Sequence, residues 1–305
     1  MLWEDSAIMV YGPWGIPKTD YEAKISPQQP FDVNQSLILM NDVQTSNETF
    51  SDVSEKYDVD IALDRMMGAV FGSALGDCLG LSTEFTDTNY ARFALDSPIS
   101  ILWNSLHSWQ NSDTFQRGTV TDDTEQAIML MRTLGDCNGE MNLAHFANLM
   151  MQWMRHGISE HGQKHALDVG GTTRDAITSK DFTKDPLRGS MKRTSRTVGN
   201  GCAMRTAPIG CFKFWDLNTV AKYALNFGCV THFSGVCGVG TVLTSLLIAE
   251  QIKRASSKIK QPPLNNEEID KLIDKSIEIV ENALKPNFNL QENQKELQMF
   301  LKAQN

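Results

Sequence analysis

The chain has 305 residues, 41% of them hydrophobic and 21% charged, with a formal net charge of -9. A mean hydropathy of -0.29 and a pI near 5.2 describe an ordinary water-compatible globular composition, large enough for one big core or two modest ones. The acidic balance argues against general nucleic-acid binding through phosphate neutralisation, and no run reaches the roughly eighteen apolar residues of a membrane span.

Residues 1–60 read as an N-terminal extension, poorly structured or draped over the main domain. Pro13, Pro17, Pro27 and Pro30 interrupt its start, and Asn41 to Ser54 is polar with no sustained period. Glu4 and Asp5 stand where a signal peptide needs basic residues. Only Ser36 to Met40 is apolar enough to add a strand or a docking segment. The six cysteines are scattered, without a Cys-x-x-Cys pair and mostly among apolar neighbours. That pattern fits reduced thiols in a cytoplasmic protein and makes zinc improbable.

From about residue 61 to 305 the texture is that of a single helical domain. Arg65 to Leu81 is apolar on nearly all sides, which predicts a central, buried helix. Gly68, Gly72, Gly76 and Gly80 share one face of it. Each glycine weakens a helix by roughly 1 kcal/mol, so the series implies close approach of another helix or a ligand. A polar section from Thr86 to Arg117 leads to Thr121-Asp122-Asp123-Thr124, which opens a helix to Leu134. Oxygen-rich side chains at a helix start suit a hard divalent cation, while Asp122 with Glu125 also resembles a capping box. Further helices are predicted at Asn142–Arg155, Asp175–Ser179, Thr219–Phe227, Val236–Lys253 and Glu267–Leu284, with a short one at Glu292–Lys302. A basic loop lies near 180–196, and a tight glycine turn, Gly199-Asn200-Gly201, precedes Met204-Arg205. No strand alternation is visible, so the expected class is all-α.

The loops between these helices carry an ordered set of motifs. They are Gly76-Asp77-Cys78-Leu79-Gly80 with Glu84-Phe85, Thr121-Asp122-Asp123-Thr124, and Asp168-Val169-Gly170 with Thr172-Thr173-Arg174. Gly199-Asn200-Gly201 with Met204-Arg205 and Ala207-Pro208 comes next, then Thr231-His232. In that order they resemble the ADP-ribosylglycohydrolase family, all-helical metal-dependent hydrolases that remove ADP-ribose from an acceptor. The resemblance implies a compact multi-helix bundle with the site in loops at one end. It also implies ADP-ribose or an ADP-ribosylated protein as the partner, and a two-metal site for Mg²⁺ or Mn²⁺.

The same resemblance implies residue roles. Thr121, Asp122 and Asp123 look like the first half of the metal site, Glu84 like the acid that holds the catalytic water, and Asp168 like the aspartate beside the reacting ribose. Gly199, Asn200 and Gly201 are expected at the diphosphate, with Gly170, Met204 and Arg205 in the substrate-binding set and His232 near the adenosine. Asp77 is expected to cap or brace a neighbouring loop, and Cys202 to be a small packing residue. One departure is plain. The family's late Gly-Asp-x-Asp-Thr segment has no counterpart after His232, and the only Asp-x-Asp, Asp58-Val59-Asp60, lacks its threonine and glycines. The domain is therefore expected to be C-terminally incomplete, its metal site short of ligands. Hydrolysis of an ADP-ribosyl-arginine-type bond is the first expectation; the alternative is a catalytically impaired member that binds ADP-ribose or serves a crystallin-like structural role.

Overall fold

The computed structural model of the chain describes residues 38–81, 83–84, 87, 89, 115, 118–194 and 199–284. Over those residues the fold is all-α, with ten α-helices and no strand beyond one isolated antiparallel bridge, Tyr57 to Ser257. The expected helix at 292–302 and most of the polar section at 86–117 lie outside the described residues.

Residues 38–60 hold a docked segment and a short helix. Leu39 is buried, and the side-chain amide of Asn226 pairs with it as a strand would: its Oδ1 accepts from Leu39 N–H at 2.8 Å and its Nδ2 donates to Leu39 C=O at 2.9 Å. The described part of the apolar run, 38–40, thus docks through a side-chain amide rather than through a sheet. Helix α1 (Phe50–Lys56) comes next, started by a reciprocal capping box between Thr49 and Asp52. Asp58 then caps α2 (Val59–Gly80), which accounts for that aspartate without a ligand.

Helix α3 (Asp122–Asp136) leads to α4 (Leu143–His156), whose buried stripe holds Phe146, Leu149, Met150 and Trp153. Gly157 ends α4 with φ 63°, and a Cβ there would meet Gln163 and the His165 carbonyl within 2.7 Å. Helix α5 spans Gly171–Ile177, starting earlier than expected, and α6 (Pro186–Thr194) occupies much of what read as a basic loop. Then come α7 (Ala207–Cys211), α8 (Leu217–Cys229), α9 (Gly235–Ser256) and α10 (Asn266–Leu284).

The core is built on α9, which packs against α8, α10, α7 and α2. Val242, Leu246 and Ala249 are fully buried there. By length and composition α9 is the one described helix apolar enough to cross a membrane, a property not anticipated from the sequence; here it is the core helix. Helix α2 departs from expectation in the other direction. It packs on α9, α7 and α3 along one side only, and leaves Leu63, Met67, Phe71 and Leu75 exposed in a row. Nothing described lies within 4 Å of where a Cβ would stand on Gly68, Gly72, Gly76 or Gly80, so no described helix approaches the glycine face.

Candidate functional site

Helix α2 and the start of α3 are joined by one carboxylate. In the last turn of α2, Asp77 Oδ1 accepts from Thr121 Oγ1 at 2.7 Å. Its Oδ2 accepts from Thr121 N–H at 2.9 Å, Thr124 N–H at 3.2 Å and Thr124 Oγ1 at 2.6 Å. Both oxygens are engaged, so Asp77 braces the Thr121–Thr124 loop. The capping-box alternative fails, because Glu125 turns inward, accepting from Trp153 Nε1 at 2.7 Å and from Gln163 Nε2. Asp122 accepts from Gln126 Nε2 at 3.0 Å and from the backbone N–H of Gly170. The α3 start is thereby held with Asp122 and Asp123 presented to one side.

That side is strongly acidic. Burial, then the neighbouring Asp168 and Asp123, push the Asp122 carboxyl up to about 8. Burial and Asp77 push Asp123 up to about 6, against a hydrogen bond from Thr121. Glu84 is raised as well, by burial and then by Asp168, Asp123 and Asp77. Each of these carboxylates thus lies near enough to the others to disfavour its neighbours' charge.

The opposite wall is neutral and glycine-rich. Gly199 and Asn200 are exposed, and Asn200 C=O accepts from the N–H groups of Ala203 and Met204. The turn is pinned to the start of α9 by its two cysteines: Cys237 Sγ donates to Gly199 C=O, and Cys202 Sγ to Cys237 C=O. Gly201 meets a steric demand of its own, since a Cβ would stand 2.7 Å from His232 Cε1. His232 is buried, and burial with the nearby Arg205 lowers its pKa to about 3.

Between these walls lies a cavity of about 520 Å³. Its lining brings together Glu84, Thr121, Asp122, Asp123, Asp168, Gly170, Gly199, Asn200, Gly201, Met204 and His232, along with Gly76, Asp77, Gly80 and Thr173. Arg205 alone among the expected site residues does not line it. It is wholly buried behind the glycine turn, bonded to Gln126, Thr231 and the carbonyls of Gly201, Phe227 and Gly228. Sequence reasoning missed Gln126, because an amide inside an apolar helix stretch carries no signal of direction.

The sequence model of the ADP-ribosylglycohydrolase family matches residues 58–303. The chain belongs to the ADP-ribosylglycohydrolase family. It is 27% identical over 173 residues to the ADP-ribosylarginine hydrolase Tri1 of Pseudomonas putida, covering 56% of this chain and 42% of the relative. The Serratia proteamaculans protein of the same name is 26% identical over 154 residues, 50% of this chain and 37% of that one. The ADP-ribosyl-[dinitrogen reductase] glycohydrolase of Rhodospirillum rubrum is 26% identical over 176 residues, 55% of this chain and 51% of the relative. The chain thus spans about half the length of the curated relatives it matches.

Within this family member the cavity fits a divalent cation in kind. Among the described residues the lining has oxygen donors and no lysine or arginine, and its neighbouring carboxylates favour a cation between them. It fits less well in number. Among the described residues no three His, Cys, Asp or Glu side chains form a ligand group, and both Asp77 oxygens already brace the Thr121–Thr124 loop. Thr121, Asp122 and Asp123 alone would fall short of the roughly six ligands that Mg²⁺ needs.

Proposed function

We propose that this chain hydrolyses the bond between ADP-ribose and an acceptor of the ADP-ribosyl-arginine type, on a protein or a small conjugate, reversing ADP-ribosylation. The observation that carries it is one cavity with an acidic wall at Asp122, Asp123, Asp168 and Glu84 and a glycine turn opposite. Thr121, Asp122 and Asp123 would hold Mg²⁺ or Mn²⁺, which when bound orients sugar hydroxyls and lowers the pKa of a bound water. Cleavage at the ribose anomeric carbon passes through an oxocarbenium-like state with water as the nucleophile. Glu84, whose carboxyl is raised by burial and then by the charges of Asp168, Asp123 and Asp77, serves as the proton acceptor, and Asp168 faces the developing sugar cation. The open Gly199–Asn200 backbone offers N–H groups to the diphosphate. The names of the relatives, which concern ADP-ribosylarginine and ADP-ribosylated dinitrogen reductase, support the arginine-type acceptor.

A second reading is favoured by the short ligand count: the chain binds ADP-ribose without turning it over. The two separate in one experiment. Melting is followed while Mg²⁺ and then ADP-ribose are added, and release of ADP-ribose from ADP-ribosyl-arginine is measured by chromatography. A ligand specific for the native state raises the melting temperature. Stabilisation by both with release of product supports hydrolysis. Stabilisation by ADP-ribose without release supports binding alone, and no stabilisation by either removes both.

A further inference from the structure

Arg205 is the most deeply buried charged group at the site, and its partners are constrained by what a guanidinium is. It has five N–H donors and no acceptor, so every partner must offer a lone pair. Burial lowers its pKa only to about 10, so it remains a cation at neutral pH. Its Nη1 donates to Gln126 Oε1 at 2.7 Å, and its Nη2 to Thr231 Oγ1 at 2.8 Å. Both partners have a second end that reaches the cavity lining. With Oε1 engaged, Gln126 must turn its Nε2 toward Asp122 Oδ2, 3.0 Å away. With a lone pair engaged, Thr231 has its hydroxyl hydrogen left, and the described acceptor for it is His232 Nδ1 at 2.8 Å.

The consequence for His232 is a choice of tautomer. With Nδ1 as the acceptor of that 2.8 Å contact, the neutral ring carries its proton on Nε2. Nε2 is the nitrogen facing the glycine turn, 3.0 Å from where a Cβ of Gly201 would stand and 3.6 Å from that of Gly199. We infer that Arg205 is a positioning residue: through Thr231 it holds His232 in the Nε2–H form, so that the glycine-turn wall offers a fixed donor to an oxygen of the ligand. Through Gln126 the same guanidinium keeps Asp122 Oδ2 an acceptor at the acidic wall. One buried cation thus sets hydrogen-bond polarity at both ends of the cavity. What the donor is used for rests on the proposed function; the tautomer does not.

The test is ring ¹⁵N NMR of the full chain labelled at histidine, with His232→Gln identifying the His232 signals. Wild type and Thr231→Ser, which keeps the hydroxyl, are expected to show Nε2 protonated and Nδ1 bare. Thr231→Val, which keeps the shape and loses the hydroxyl, is expected to show mixed tautomers. Its affinity for ADP-ribose should fall about tenfold, the cost of a misdirected hydrogen bond. A wild-type spectrum with the proton on Nδ1 overturns the inference, and needs no variant to fold. So does a folded Thr231→Val protein that keeps the wild-type tautomer. A wild-type Nε2–H form in a protein that ignores ADP-ribose supports the tautomer lock while removing the proposed function.

Discussion

Helices α2 and α9 have the same length, 22 residues each, and both are apolar nearly all round, yet they lead different lives. Helix α9 is enclosed by four neighbours, while α2 is covered on one side and shows Phe71 at 62% exposure on the other. Their glycines differ in the same way. A Cβ on Gly238 of α9 would stand 3.0 Å from Leu225, and one on Gly228 of α8 would stand 2.9 Å from Thr241 of α9, whereas the four glycines of α2 face open space. Both helices nonetheless end at the cavity: α2 gives Asp77 to the acidic wall, and the start of α9 pins the glycine turn through Cys237. Apolar composition states a demand for burial, and only neighbours supply it.

The largest expected effect is in the enclosed helix. Leu246→Ala, at a fully buried position, should cost about 2–5 kcal/mol by denaturant unfolding, because the surrounding helices relax only partly into the space. Next comes Gly210→Ala at the α7–α9 contact, where the new Cβ would stand 2.7 Å from Ile248 Cβ and 2.8 Å from the Ser245 carbonyl. Overpacking there should cost about 1–3 kcal/mol. On α2 the same substitution has the opposite sign. Gly72→Ala meets nothing, removes backbone freedom from the unfolded chain and should stabilise by roughly 0.5–1 kcal/mol.

Between these two glycine variants in size lies a pH effect that separates the two walls. Asp122 has its carboxyl raised to about 8, so its ionised form is disfavoured in the fold. Metal-free protein should then lose stability as pH rises from about 4 toward 8, with a slope of at most about 1.4 kcal/mol per unit. Asp122→Asn should flatten that slope, and added Mg²⁺ should oppose it. The α9 side responds at the other extreme. His232 is a base lowered to about 3, neutral in the fold, so its contribution is lost as pH falls below about 6.5 toward 3. Melting temperatures recorded from pH 4 to 9 for wild type, Asp122→Asn and His232→Gln check both signs.

How much of this was legible depended on whether a residue's type alone fixes its role. Adjacent Asp122 and Asp123 at a helix start are an oxygen-rich cluster on their own, while Glu84, Asp168 and Gly199 to Gly201 stand out only through the order of motifs that resembles the family. The structure lines one cavity with all of them. Arg205 could not be placed, because its motif position gives no direction, and a guanidinium serves a ligand or a core equally well until its partners are seen. Gly201 fitted close ligand approach, but the structure adds a nearer reason in the His232 ring. The short helix α1 was missed because a capping box in a polar run is a weak signal, and α6 because exposed basic residues resemble a loop. The exposed side of α2 was misjudged for the most physical reason. Periodicity reports which faces are apolar, and an all-round apolar helix gives no indication of which face its neighbours leave bare.

The smallest effect is the one that probes that bare face. Phe71 projects where the described residues offer no partner, so Phe71→Ser removes little buried area and should change stability by less than about 0.5 kcal/mol. Met67→Ser and Leu75→Ser, one turn to either side, should behave alike and add independently in the triple variant. Their exposed apolar area predicts a second observable. A contiguous row of large side chains in water favours association, so the triple variant should sediment with less self-association than wild type at the same concentration. Measured costs near those of Leu246→Ala would mean that the row is covered in solution. The contrast between the two helices would then vanish, because α2 would be as enclosed as α9.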